Sequence, residues 1–214
     1  MGVFGMEPLD MQSWPRTELF RSYLGTDFPY INLGTRIEVG PFLDRCRKEG
    51  YSFYFSLVHL ATSVANEIEN FHFRFRGDQA YRITTNIPVL THMRPGDEIF
   101  MMLEGKDTAD RLEFCRDLRE KAETAPQGLR LDCGDRLDLI SFSCIPWTDY
   151  THIVRTISHW GVDCNPKITW GKYVTNHGKT TLNMTVQVHH GMMDGYHVGK
   201  FFMELQSRIY EGRF

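Results

Sequence analysis

The sequence is short of the features that stabilise small secreted or metal-bound proteins. Its five cysteines, Cys46, Cys115, Cys133, Cys144 and Cys164, are odd in number and fall at no metal-ligand spacing, which excludes a disulfide framework and a zinc site built on them. No apolar run reaches membrane-spanning length. The first residues carry Glu7 and Asp10 where an export signal has a basic start and an apolar stretch, and Met6 stands where a myristoylation signal needs Ser or Thr. A soluble, cytoplasmic protein is expected. A basic patch is also lacking: the net charge is -3 with both signs mixed along the chain, so nucleic acid is not an expected partner and any charged ligand must be held locally. There is no internal repeat and no low-complexity linker, and 214 residues suit one domain spanning 1–214.

What is present is a globular composition, 42% hydrophobic and 24% charged, with clear periodicity. Apolar residues at 57, 60, 61, 64, 65 and 68 predict a helix over 53–70. Ser13 as a cap, Pro15 in the first turn and Glu18 at the positive end predict another over 13–23, placing Phe20 and Tyr23 on a shared face. Further helices are expected at 42–48, between Pro41 and Gly50, and at 107–124 and 196–210. Residues 27–32 read as a Pro-bearing loop. Alternation predicts strands at 35–39, 71–76, 80–84, 87–93, 98–104 and 137–145, those from 71 to 104 as successive antiparallel partners. A hairpin of 168–175 and 180–190 closes around Asn176-His177-Gly178-Lys179. Strands interleaved with helices without strict alternation favour an α+β two-layer sandwich, a mixed, mostly antiparallel sheet packed by helices.

The densest chemistry lies in Gln187-Val188-His189-His190-Gly191-Met192-Met193-Asp194-Gly195-Tyr196-His197, where the last strand meets the last helix. Neighbouring strand residues face opposite sides, so His189 and His190 cannot chelate one metal, and no metal is expected. Asp194 suits the helix N-cap. Taken alone, His190 reads either as a hydrogen-bonded strand-end histidine or as a general base. The second reading requires an oxyanion donor, an orienting partner and a substrate channel.

The 188–197 stretch resembles the signature of chloramphenicol acetyltransferases, with Gly191 where the family usually has Ser or Ala. The resemblance continues in family order at Trp14-Pro15-Arg16-Thr17-Glu18 with Tyr23, Lys48-Glu49-Gly50-Tyr51-Ser52-Phe53-Tyr54, Ser143-Cys144-Ile145-Pro146-Trp147 and Thr169-Trp170-Gly171-Lys172-Tyr173. It implies the CoA-dependent acyltransferase fold and direct transfer of acetyl from acetyl-CoA, as co-substrate, to a hydroxyl of chloramphenicol or a similar acceptor, an antibiotic-resistance activity. By the same resemblance His190 is the general base, Ser143 stabilises the oxyanion, Thr169 acts through a bound water, and Asp194 with Arg16 forms a buried ion pair bracing the site. Lys172 and Tyr173 match CoA-contacting positions. The family is a homotrimer with active sites at subunit interfaces, and that assembly is expected here by resemblance alone.

The expected acceptor pocket contains Tyr23, Asp27, Ile153 and Arg155, and two of these depart from the family, which has leucine where Asp27 and Arg155 stand. Either the acceptor is a more polar alcohol or amine, or the two charges pair with each other or point outward. His152, His159 and His177 are expected at the surface or core edge. Two further functions are weighed: a CoA-binding homologue without turnover, and a lipoyl-dependent acyltransferase core. The second is disfavoured because no Pro/Ala-rich linker precedes residue 13.

Overall fold

Strand pairing divides the molecule into two sheets. The computed structural model describes residues 5–128, 135–157 and 163–214; Cys133 and His159 lie outside the described residues. In chain order the elements are β1 (Met6–Pro8), α1 (Thr17–Leu24), β2 (Tyr30–Glu38), α2 (Gly40–Glu49), α3 (Phe53–Asn66), β3 (Phe73–Arg76), β4 (Gln79–Ile83), β5 (Ile87–His92), β6 (Met101–Glu104), α4 (Arg111–Thr124), β7 (Leu139–Ile145), β8 (Lys167–Gly171), β9 (Val174–Asn176), β10 (Lys179–His189) and α5 (Gly195–Glu211). The large sheet runs β2-β10-β8-β7-β5-β6, with β9 pairing β10 to the side; the small sheet is β1-β4-β3. The result is an α+β fold of helices on a mixed sheet.

One face of the large sheet is apolar because strand residues alternate. Leu90, Phe142, Ile168, Trp170, Met184 and Val186 pack there with Leu57, Leu60, Ala61 and Val64 of α3 and with Val198, Phe201, Leu205 and Ile209 of α5. A second core holds Phe20 of α1, Phe73, Phe75 and Ala80 of the small sheet, and Met192 from the turn after β10. This cluster fixes α1 against that turn.

Several expected elements shift, each for a local reason. Ser13 donates to Asp10 at 2.8 Å instead of capping, and α1 starts at Thr17 behind Arg16, whose side chain is committed elsewhere. The expected loop 27–32 ends early, since β2 pairs with β10 back to Tyr30↔His189. Residues 53–70 split into α3 and a 3-10 turn, Glu69–His72, which takes Phe71 out of the expected strand. The antiparallel series from 71 to 104 is not one sheet: β3 and β4 belong to the small sheet, while β5 pairs antiparallel with β6 and parallel with β7, itself parallel to β8. β6 and then helix α4, capped by Asp110 on the N–H groups of Leu112 and Glu113, together make the connection from β5 to its parallel partner β7. The expected strand 168–175 breaks after Gly171 because the Lys172 N–H bonds the Thr148 carbonyl at 2.9 Å.

Candidate active site

β10 ends on His189, whose ring lies inward between Tyr30 and Phe75. Its Nδ1 accepts the Gly191 N–H at 3.1 Å. His190 therefore turns to the other side, its ring stacked on Tyr23 with centroids 4.5 Å apart. Its Nδ1 lies 3.3 Å from the Met193 carbonyl oxygen and 3.3 Å from Asp194 Oδ1. A carbonyl only accepts, so this contact assigns the hydrogen to Nδ1 and leaves the Nε2 lone pair available. Gly191 packs closely here: a Cβ there would lie 3.1 Å from the His189 ring and 3.3 Å from Phe20.

Arg16 holds the turn together. Its guanidinium donates to both Asp194 oxygens, at 2.7 and 3.0 Å, and to the carbonyls of His190 at 3.1 Å and Gly191 at 3.3 Å. The Arg16 hydrogen bond keeps the Asp194 carboxyl below the usual carboxylate range. The expected burial of this pair needs correction: Arg16 is 13% exposed and Asp194 35%, so water screens part of the attraction within one chain. His197, one turn into α5, accepts the Asp194 N–H through Nδ1 at 3.0 Å, and burial pushes its pKa down.

Ser143 and Thr169 sit on the polar face of the large sheet, opposite the apolar core. Ser143 pairs with Thr169 in register, and Thr169 with Thr185 of β10. The Ser143 hydroxyl lies 3.2 Å from that of Thr91, while the Thr169 hydroxyl is buried without a hydrogen-bond partner among the described residues. Segment 149–155 crosses this face: Tyr150 donates to the Thr169 carbonyl at 2.8 Å, the Asn32 amide donates to the Ile153 carbonyl, and Gln187 accepts the Arg155 N–H at 2.8 Å. The Arg155 guanidinium reaches the carbonyl and hydroxyl of Ser141, at 3.2 and 3.0 Å. Asp27 is exposed just beyond α1. The two charges therefore do not pair within the chain, and Arg155 points inward. Lys172 and Tyr173 are exposed between β8 and β9, Tyr173 edge-on to Phe53 with centroids 5.8 Å apart; Trp147, 70% exposed, precedes the Thr148 carbonyl that Lys172 uses.

These residues form two groups rather than one. Tyr23, His190, Asp194 and Arg16 are in mutual contact, as are Ser143 and Thr169 by register, but no contact joins the groups among the described residues. His190 lies five residues beyond Thr185, about 16 Å along β10 at ~3.3 Å per residue, and two strand spacings of about 4.8 Å separate Thr185 from Ser143. A base and an oxyanion donor must both come within roughly 3 Å of one reacting centre. Within one chain His190 and Ser143 stand farther apart than that.

Residues 4–206 match the family described as chloramphenicol acetyltransferase. The chain belongs to the chloramphenicol acetyltransferase family. It is thus an acyltransferase by descent. Curated chloramphenicol acetyltransferases from Clostridium perfringens and Campylobacter coli are 28% and 25% identical to it, covering 93% and 94% of this chain and 92% and 97% of their own. A solved chloramphenicol acetyltransferase superposes with a TM-score of 0.85 at 20% identity, over 96% of this chain and 100% of its own. A probable dihydrolipoamide acetyltransferase from Listeria monocytogenes gives 0.64 at 11%, over 92% of each chain. Both structures share the fold.

Within this acetyltransferase fold some site neighbours are not singled out by sequence reasoning. Thr91 is one hydroxyl in an otherwise apolar run, and Ser141 and Gln187 lie at even spacing from Ser143 and Thr185 on the same strand faces. That alternation was a usable signal. Tyr54, whose hydroxyl donates to the Thr91 carbonyl at 2.6 Å, lies in the 48–54 stretch of the resemblance but had no role assigned to it. His152 and His177 are exposed, as their sequence context suggests.

Proposed function

We propose that the protein transfers acetyl from acetyl-CoA directly to a hydroxyl of chloramphenicol or a similar acceptor, at a site completed by two copies of the chain. The observation that carries this reading is His190, with Nδ1 tied to the Met193 carbonyl and Nε2 left open beside Tyr23. His190 removes the acceptor's proton through Nε2 as the hydroxyl oxygen bonds to the thioester carbon, a role worth about 10²- to 10⁴-fold. Ser143 of the other copy donates to the oxygen on which negative charge develops. Collapse breaks the carbon–sulfur bond, and the imidazolium returns its proton to the departing thiolate. Asp194, neutralised by Arg16, orients the imidazole and takes no proton itself. The unpartnered Thr169 hydroxyl suits a bound water beside the same centre. Exposed Trp147 and Tyr173 offer faces for the CoA adenine and Lys172 a cation for its phosphates.

The roughly 19 Å implied between the two groups by strand geometry supports a symmetric assembly, a homotrimer in this family, in which each interface joins one His190 to the next copy's Ser143. Complementation tests this. His190→Ala and Ser143→Ala, each strongly impaired alone, are co-assembled from unfolded chains. Random assortment leaves about one quarter of interfaces with both wild-type residues, and CoA release should recover in that proportion. No recovery from a mixture shown to be co-assembled would leave the two-copy site without support.

A further inference from the structure

Among the described residues, no carboxylate hydrogen-bonds or ion-pairs with Arg155, a cation on the Ser143 face. Its guanidinium spends two hydrogen bonds, both on neutral acceptors of Ser141, leaving three of its five N–H groups without a hydrogen-bond partner among the described residues. It is not a loose surface side chain. Gln187 clamps its backbone in both directions, at 2.8 and 3.2 Å, so the group is held where it is. The carboxylate whose field reaches it, Asp163, is bound to Lys167 at 2.7 Å, and the Lys167 ammonium adds positive charge to the same region. Burial holds Arg155 below its ordinary pKa, as an under-compensated cation requires. Ser141 precedes Ser143 by two positions on the same strand face, about 7 Å away, so the guanidinium lies on the face that carries the proposed oxyanion donor.

We propose that Arg155 recognises the acceptor, and that the acceptor is a hydroxyl compound carrying a carboxylate, bound by the free edge of the guanidinium while its hydroxyl faces His190 of the second copy. The planar fork of donors matches a carboxylate in two parallel hydrogen bonds. This inference rests on the two-copy transfer site. It has one structural competitor: Asp27 lies on the His190 side, so the second copy's Asp27 could reach the same guanidinium.

The test pairs 4-(hydroxymethyl)benzoate and N-acetylserine with their methyl esters, which remove the charge at the cost of one added methyl group. Binding to the full-length protein with CoA present is measured by calorimetry, and turnover by CoA thiol release. Each acid should bind at least roughly tenfold more tightly than its ester, the scale of one charge-assisted pair. Arg155→Leu should abolish that ratio and Arg155→Lys keep part of it, with melting curves confirming that both variants fold. Equal binding of acid and ester by wild type, or an acid preference that survives in Arg155→Leu, overturns the inference. So does a trimer weakened by Asp27→Asn and restored by exchanging the two charges, because the second copy's carboxylate then occupies the guanidinium. Acid-selective binding without any CoA release would sustain Arg155 as a carboxylate site and sink the transfer reading. Acetylation of chloramphenicol with no acid preference would do the reverse.

Discussion

The two halves of the proposed site are built by different physics. The His190 half is a turn and a helix start pinned by long-range polar contacts: Arg16 and Asp194 are 178 positions apart in sequence, and their ion pair, the Tyr23 stack and the Met193 carbonyl together set the imidazole. The Ser143 half is a sheet. Its hydroxyls hold their places because β7, β8 and β10 are in register and a packed apolar core lies beneath. The first half depends on a few individual bonds, while the second spreads the same task over a ladder. Loss of one side chain should therefore disturb geometry on the His190 side and only chemistry on the Ser143 side.

Activity gives the largest effects. His190→Ala should reduce kcat/KM on the order of 10⁴-fold, and Ser143→Ala about 10²- to 10³-fold, both measured by CoA thiol release. The comparison sharpens if Ser143→Ala leaves the melting temperature within about 2 °C of wild type. Arg16→Met should separate the halves further. It strips four hydrogen bonds from the turn and leaves the Asp194 carboxylate uncompensated. A fully buried pair broken this way costs roughly 3 to 5 kcal/mol, and the exposure of Asp194 reduces that to about 1 to 3 kcal/mol. Activity should fall together with stability in urea titrations. An Arg16→Met protein as stable as wild type would mean that the small-sheet cluster alone fixes α1.

The fold was legible where periodicity was local. Helix α3 and the alternation of β5 and β7 follow from spacing, because burial against one neighbour decides them. The division into two sheets was not legible. Whether β4 continues into β5's sheet depends on its pairing with the distant β1 and on the packing of Phe73 and Phe75 with Phe20, and neither is a property of the strand itself. In the site, the opposite facing of His189 and His190 follows from strand alternation and from little else. The direction of Arg155 could not be read, since segment 149–155 lacks a regular period and is held by side-chain bonds from Asn32, Gln187 and Asn183.

The smallest effect concerns His197, the residue through which α5 meets the His190 turn. Its Nδ1 already accepts the Asp194 N–H, so in the folded chain the neutral ring fits and a second hydrogen on that nitrogen does not. Burial lowers its pKa below the ordinary value of 6.5. A histidine depressed on folding is protonated more readily in the unfolded chain, so stability falls as pH drops through about 6.5 toward the folded value. Asp194 is also depressed, but its contribution is lost only below the ordinary carboxylate range, near pH 4 and lower, so it is silent between pH 7 and 5. His59 and His92 are lowered by burial as well and share the same window, which makes the total slope uninformative. His197→Asn resolves it, since the Asn carbonyl can accept the same N–H without titrating. Urea denaturation at pH 7, 6 and 5 should show the variant losing less stability than wild type, by under about 1 kcal/mol at pH 5. Equal slopes would mean that His197 takes its proton in the folded chain without disturbing Asp194. The His190 half would then be less dependent on single bonds than its contrast with the sheet implies.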